Sequence, residues 1–519
     1  MTLQGNGPAL SSAALRRAFS EFFEARGHLA PPPASLVPAG DPSVLFTTAG
    51  MQQFKPYYLG VDTPPAQRLT TSQRCFRTSD IENVGHTARH LTFFEMLGNF
   101  SIGDYFKREA IAWALEFSDQ LGIDRARIKV SVFGGDDQVP VDDEAIAIWK
   151  THGFSDDDIV RLGRGDNFWG PAGATGPCGP CSELYFDMGE EFGCGRPDCG
   201  PGCECDRWME YWNLVFVQYE MDERGGLSPL AAQSIDTGMG LERVSAVHQG
   251  VTTVYETDAF RPLIELGEQL SGQTYGSSEA ATRALRIMAE HARGIAFLIM
   301  DGVLPGNEGR DYVLRRIIRR AVQQGVSIGL DEPFLSRLCE RVVELMGGAY
   351  PALLASRDTI VEITGEEEAR FTHTLAQGMA ILDEALRRAR DSGAELPPAV
   401  AFELHDTYGF PFDLTREIVQ DRGMSVDEEG FERLMTEQRE RARKAQRAGE
   451  TGPGELETFQ RGSADLPTTF VGYERLEVYS VVRAARVLAD GRVALKLEES
   501  PFYAEGGGQV ADAGWIHTD

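Results

Sequence analysis

The sequence predicts an α+β chain in three parts: a mixed region of helices and strands, a helical region, and the opening strands of a β domain. Three observations carry this expectation. Segments rich in β-branched and aromatic residues recur through the first half. From Ala281 to about Gln446 nearly every segment repeats its apolar residues with a helical period. After a Gly/Glu/Pro stretch, AGETGPGELE, the pattern alternates like strands again. At 519 residues the chain exceeds what one hydrophobic core normally supports, and the expected division is 1–255, 256–450 and 451–519.

The first element is an amphipathic helix in SSAALRRAFSEFFEARGH: Ser11 or Ser12 caps it, Leu15, Phe19, Phe22 and Phe23 share one face, and Gly27 stops it. The prolines of LAPPPASLVPAGDPSVLFTTAGMQQFKPYYLG allow only extended or turn geometry, with a short strand expected from Val44 to Phe46. RLTTSQRCFRTSD and RHLTFFEMLGNF read as two strands joined by a polar loop, and DRWMEYWNLVFVQYEM as another. LSPLAAQSIDTGMGLERV closes the mixed region. SGQTYGSSEA reads as a hinge before helical segments that begin ATRALRIM, DYVLRRII, EPFLSRLC and EEEARFTH. Beyond the linker, RLEVYSVVRAARVLADGRVALKLEESPFYAEGGGQV reads as hairpin strands around a D-G turn. Too few residues follow for a β domain of ordinary size, as in a truncation.

With 42% hydrophobic and 25% charged residues the composition is that of soluble globular material. No apolar run is long enough to cross a bilayer, and the N-terminus lacks the features of a secretory signal, so a cytoplasmic address and no membrane partner are expected. A net charge of −29 argues against a nonspecific nucleic-acid coat. A local basic face stays open, because Arg315, Arg316, Arg319 and Arg320 fall three and four apart on one helix. Eight cysteines suit thiols or metal better than a disulfide framework. Cys178 and Cys181 lie in GPCGPCS and read as structural thiols among tight turns. Cys194, Cys199, Cys203 and Cys205 fall within twelve residues rich in Gly and Pro, enough ligands for tetrahedral zinc, with reduced thiols the alternative.

IDTGMGLERV, residues 235–244, poses a sharper choice. Taken alone it is a Gly-rich bend whose charges face water. Alternatively, Gly238 and Gly240 let a ligand approach the backbone while Asp236 and Arg243 each hold a group of opposite charge. Read in order with RCFRTSDIENVGHTARHLTFFEMLGNFSIGDYF, DNFWGPAGATGPCGPCSELYFD and YWNLVFVQY, the segment resembles the alanyl-tRNA synthetase family, and more broadly the three motifs of class II aminoacyl-tRNA synthetases. The resemblance runs from about Ser11 to the end of the chain. It implies an antiparallel catalytic sheet flanked by helices, a helical tRNA-recognition region, and the first strands of an editing domain whose remainder is absent. It also implies a reaction: L-alanine and ATP, with Mg²⁺, give alanyl-adenylate, and alanine passes to the 3′ end of alanine tRNA.

What the resemblance implies for single residues follows its motifs. Arg77 would grip the α-phosphate and the amino-acid carboxylate, Arg243 the γ-phosphate, and Phe94 would lie under adenine. Asp236 would clamp the ammonium group, Gly238 would leave its backbone open, and Met96, Trp169, Asn213 and Val215 would wall a space for one methyl group. Glu210 is either a Mg²⁺ ligand or an ion-pair partner. Asn307 and Asp406 match positions that read the exposed 2-amino group of a G·U pair in the acceptor stem, beside the arginine strip. The second motif departs from the class pattern: Ser79 stands two after Arg77, the acids fall at Asp80 and Glu82, and the loop to Arg89 is short. Two other readings are a ligase that passes an activated amino acid to a carrier other than tRNA, and a non-catalytic RNA- or metal-binding relic. Asn307 and Asp406 count against the first; Arg77, Asp236 and Arg243 count against the second.

Overall fold

The first helix runs over Ser12–Glu24; the Ser11 hydroxyl accepts from the Ala14 amide, and Leu15, Phe19, Phe22 and Phe23 are buried. In the computed structural model, which describes residues 9–39, 44–171, 173, 175–392, 395–449, 459, 467–472, 475–487, 492–502, 512 and 514–517, this apolar stripe covers one face of an eight-stranded sheet. The strands are β1 (Arg68–Phe76), β2 (Phe93–Ser101), β3 (Ile128–Phe133), β4 (Ile159–Leu162), β5 (Phe168–Trp169), β6 (Gly176–Asp187), β7 (Trp208–Met221) and β8 (Leu227–Gly240). Their spatial order is β1-β2-β8-β7-β6-β3-β4, with β5 on β6. All pairings are antiparallel except β3 with β4, so the expected α+β fold with an antiparallel sheet is the one observed.

Successive side chains on a strand alternate faces, and here both faces are covered. Trp212, Leu214 and Phe216 of β7 pack with Phe19 and Phe117, whose rings lie 5.7 and 6.0 Å from Trp212. Asn213 and Val215 point the other way. The register pairs Val215 with Asp236, Asn213 with Gly238 and Glu183, and Met96 with Gly240, which gathers these residues on one face.

Three local expectations are corrected. Val44–Phe46 is not a strand: the Thr47 amide turns back to the Leu36 carbonyl, and Phe46 is buried against Phe76 with ring centroids 5.0 Å apart. Further on, Gly50–Phe54 and Lys55–Tyr58 are short helices rather than extended chain or turns, with Pro56 in the first turn, where a missing N–H costs nothing. GPCGPCS is not a set of tight turns but the start of β6, with an irregular register between Cys178 and Cys181. Gly179 is required there, because a Cβ would lie 2.0 Å from the Phe216 carbonyl oxygen.

The helices Glu279–Met300, Gly309–Ser327, Leu335–Met346 and Arg357–Ser392 belong with the sheet to one compact unit, Met1–Val426. Phe297 stacks on Phe93 of β2 at 4.3 Å, and the Glu290 carboxylate accepts from the Thr92 and Phe93 amides at 2.6 and 2.9 Å. Arg293 meets Glu242 at 2.5 Å, both buried. A second unit, Asp427–Asp519, contains the helix Glu428–Gly449, an antiparallel hairpin of Val482–Val487 with Val493–Leu497, and Thr469–Phe470 parallel to Glu499–Ser500. The D-G turn and most of AGETGPGELE lie outside the described residues. Among the described residues, no helix is long and apolar enough to cross a membrane.

Candidate active site

The end of β8 is strand rather than bend, so Asp236, Gly238 and Gly240 alternate onto the face opposite the aromatic core, and a helix (Leu241–Gln249) starts directly after them. That face floors a cavity of about 250 Å³. Arg77, Phe94, Met96, Trp169, Glu210, Asn213, Val215, Asp236, Gly238 and Arg243 all line it. Every residue singled out from the sequence for ATP or alanine is thus brought to one place. Arg77 follows β1, and Arg243 sits in the first turn of the helix after β8.

Asp236 is 5% exposed, and no hydrogen bond to its carboxylate is found among the described residues. Burial alone pushes it up to about 7. Asn213 Nδ2 donates to Glu183 Oε1 at 2.8 Å, which leaves Asn213 Oδ1 as a second buried acceptor without a partner. At Gly238 a Cβ would lie 2.8 Å from Met96 Sδ, so this position keeps the methionine where it is.

The two arginines differ in their engagement. Arg77 Nε donates to the Thr48 carbonyl at 3.1 Å, and its guanidinium lies 5.0 Å from the centre of the Phe94 ring. Arg243 Nη1 donates to Glu210 Oε2 at 2.8 Å and to the Glu210 carbonyl at 3.1 Å. Glu210 is thus an ion-pair partner here, and its carboxylate also faces Glu183. Burial first, and then Glu210, pushes Glu183 up to about 8, while Tyr185 and Ser131 hydroxyls donate to its Oε2 at 2.5 and 3.2 Å.

Sequence reasoning overlooked Glu183 and gave no role to Glu242 or Arg89, and all three line the cavity. The available signal for Glu183 was an acid inside the apolar strand CSELYF, a position that requires a partner. Glu242 is held by Arg293 and accepts from the Glu95 amide at 3.1 Å. Arg89 Nη1 donates to the Cys205 carbonyl at 2.8 Å.

Away from the cavity, Asn307 is exposed before the helix Gly309–Ser327, and Asp406 is exposed at the end of the helix Pro398–Asp406. The four arginines expected as a basic strip are each paired with an acid from a facing element. Arg319 meets Glu367 at 2.6 Å and donates to the Gly409 carbonyl; Arg315 lies 3.3 Å from the same Glu367 carboxylate and donates to Asn307 Oδ1. Arg316 meets Asp413 at 3.2 Å and Glu82 at 3.3 Å. Arg320, 2% exposed, meets Glu417 at 2.6 Å. Helical spacing does put them on one side of the helix, but that side is covered. All eight cysteines are free thiols: Cys178 and Cys181 are buried, and the Sγ atoms of Cys194, Cys199, Cys203 and Cys205 lie within 4.8 Å of one another.

The family described as tRNA synthetases class II (A) matches residues 14–519. Among curated proteins, the chain is 49% identical over 98% of its length to an alanine–tRNA ligase of Dehalococcoides mccartyi, covering 58% of that protein. It is 50% identical to one of Rubrobacter xylanophilus and 49% identical to one of Desulforudis audaxviator, again over 98% of this chain and 58% of each relative. The chain therefore spans somewhat over half the length of the relatives it matches.

Proposed function

From the premise that the chain belongs to the class II (A) tRNA synthetases, we propose that it is an alanine–tRNA ligase, which activates L-alanine with ATP and transfers it to alanine tRNA. The observation that carries this reading is the convergence of Arg77, Arg243 and the unpartnered Asp236 carboxylate on one cavity. A buried acid without a partner, beside the free Asn213 Oδ1, suits an ammonium group that brings a charge and several donors. Met96, Trp169 and Val215 line the same cavity and would wall a space for one methyl group.

The amino-acid carboxylate attacks the α-phosphate in line, pyrophosphate leaves, and the product is alanyl-adenylate. Negative charge spreads over phosphate oxygens as this happens, so cations held in place and correct positioning are what the reaction needs. Arg77 is suited to span the carboxylate and α-phosphate with its planar fork, and Arg243 to hold the γ-phosphate while Glu210 orients it. Phe94 would support adenine. Glu210, whose Oε2 holds Arg243, lines the cavity and is the acid proposed to hold Mg²⁺, which would neutralise phosphate charge when bound with the nucleotide.

For the second step, Asn307 and Asp406 are proposed to read the G·U pair of the acceptor stem, with 1–255 as the aminoacylation region, 256–450 as the tRNA-recognition region and 451–519 as the linker and opening strands of an editing-type β domain. Arg315 and Arg319 would act there by holding the Asn307 loop and the Gly409 turn through their shared Glu367. ATP–pyrophosphate exchange run with alanine, serine and glycine tests the reading. Alanine should support exchange best, and exchange that ignores alanine would overturn it.

A further inference from the structure

We propose that Cys194, Cys199, Cys203 and Cys205 hold one zinc ion as four thiolates, and that this metal loop positions Arg89 in the cavity. The paired sulfurs lie 3.5 Å apart for Cys194 and Cys203 and 3.6 Å apart for Cys199 and Cys205, and all four fall within 4.8 Å. Sulfurs placed tetrahedrally about 2.3 Å from zinc are about 3.8 Å from one another, so the cluster already has the size of a loaded site.

The loop needs such a centre. Between β6 and β7, residues 193–207 form no helix or strand, and Pro201 is the one buried residue among them. Gly195 and Gly202 take the left-handed conformation (φ 74° and 85°) that folds the segment back on itself. A segment with no apolar core is ordered by a metal when one binds, and loading releases the thiol protons. The loaded cluster is doubly negative, and Arg196 Nη2 already donates to Cys203 Sγ at 3.4 Å.

The link to the cavity runs through two backbone carbonyls of the loop and the Asp206 carboxylate. Arg89 Nη1 donates to the carbonyl of Cys205, itself a ligand, at 2.8 Å and to Asp206 Oδ1 at 3.2 Å, while Nη2 donates to the Glu204 carbonyl at 3.2 Å. Its guanidinium is thereby fixed at the cavity wall it shares with Arg77. This positioning role rests on the reading of the cavity as an ATP site; the metal site does not.

The test uses the full chain purified without chelator. Elemental analysis should give about one zinc per chain, the four thiols should resist alkylation until the metal is stripped, and cobalt(II) substitution should give thiolate charge-transfer and tetrahedral d–d bands. Less than about a tenth of an equivalent after reconstitution under reducing conditions overturns the site, as do disulfides mapped between these cysteines. Stripping the metal, or Cys203→Ser, should raise the KM for ATP about tenfold and leave that for alanine within about twofold, and Arg89→Ala should do the same with zinc content unchanged. An unchanged KM for ATP in the stripped protein overturns the positioning role. If no amino acid supports exchange at all, the ATP reading fails and the positioning role with it, while zinc content still decides the metal site.

Discussion

Replacing Asp236 with asparagine separates what its charge costs the fold from what it does for a ligand. Burial raises this carboxyl from 3.8 to about 7. An acid with a raised value favours folding while protonated, so its contribution is fully present below pH 3.8 and is lost as pH rises through about 7. Between pH 5 and 7 the loss is about 1.4 kcal/mol per pH unit, or about 3 kcal/mol in all. Asparagine keeps the shape without the charge. Against the unmodified protein, Asp236→Asn should therefore gain about 3 kcal/mol of stability on going from pH 5 to pH 8, read by urea denaturation at each pH.

Alanine binding should follow the opposite slope. The ammonium group needs the carboxylate charged, so alanine KM in pyrophosphate exchange should rise about tenfold per pH unit below 7 and flatten above about 8. Glu183 titrates nearby, at about 8, and is separated from Asp236 by the variant itself: Asp236→Asn should lose the pH step along with about 100-fold or more in alanine affinity. Saturating alanine should also remove most of the stability difference by pairing the charge. An alanine KM that is flat from pH 6 to 8, or an asparagine variant that keeps its affinity for alanine, would refute the assignment of Asp236 to the ammonium group.

Gly238→Ala should push Met96 into the methyl space and raise alanine KM about 10- to 100-fold with ATP KM little changed in the same exchange assay, because a Cβ there meets Met96 Sδ at 2.8 Å. Asp406→Ala and Glu367→Gln should each lower tRNA charging about tenfold while sparing alanine-dependent exchange, the first through a lost acceptor and the second through release of Arg315 and Arg319. Glu242→Gln should cost about 3 kcal/mol or more in urea denaturation, since it leaves the guanidinium of Arg293 buried and uncompensated.

The fold class was legible because its helices are amphipathic and its longest strands are rich in aromatic and β-branched residues. The helix Ser12–Glu24 has its cap, stripe and stop written locally. The strand β6 was harder: its prolines and glycines mark turns in isolation, and they sit in strand here with the Phe216 carbonyl of β7 close against Gly179 and β5 paired with Gly179 and Pro180. On β7 the period of two was masked, since the face that carries Asn213 and Val215 is nearly as buried as the core face. Residues of the cavity could be gathered by motif, but the acids that surround them could not. Glu183 and Glu242 carry no local signal of Asn213 and Arg293, which lie 30 and 51 residues away. The arginine strip shows the same limit: helical spacing gives a common side without showing what covers it.

Arg320 illustrates what that covering does. Its Nε and Nη2 both reach the Glu417 carboxylate, at 2.6 and 2.7 Å, Nη1 lies 3.1 Å from His291 Nε2, and Nη2 also donates to the Val84 carbonyl at 3.2 Å. At 2% exposure it has no face to offer a phosphate. It ties the helix Gly309–Ser327 to the loop that joins Arg77 to Arg89, and through His291 to Glu290, which holds the start of β2 two residues before Phe94 and four before Met96. Lysine keeps the charge but cannot reach four acceptors from one planar fork. Arg320→Lys should therefore depress alanine-dependent exchange and tRNA charging by the same factor, about tenfold, because it loosens the cavity that both steps use. Loss of charging alone would instead mean that this arginine meets RNA, and the ties to Val84 and His291 would then have no part in catalysis.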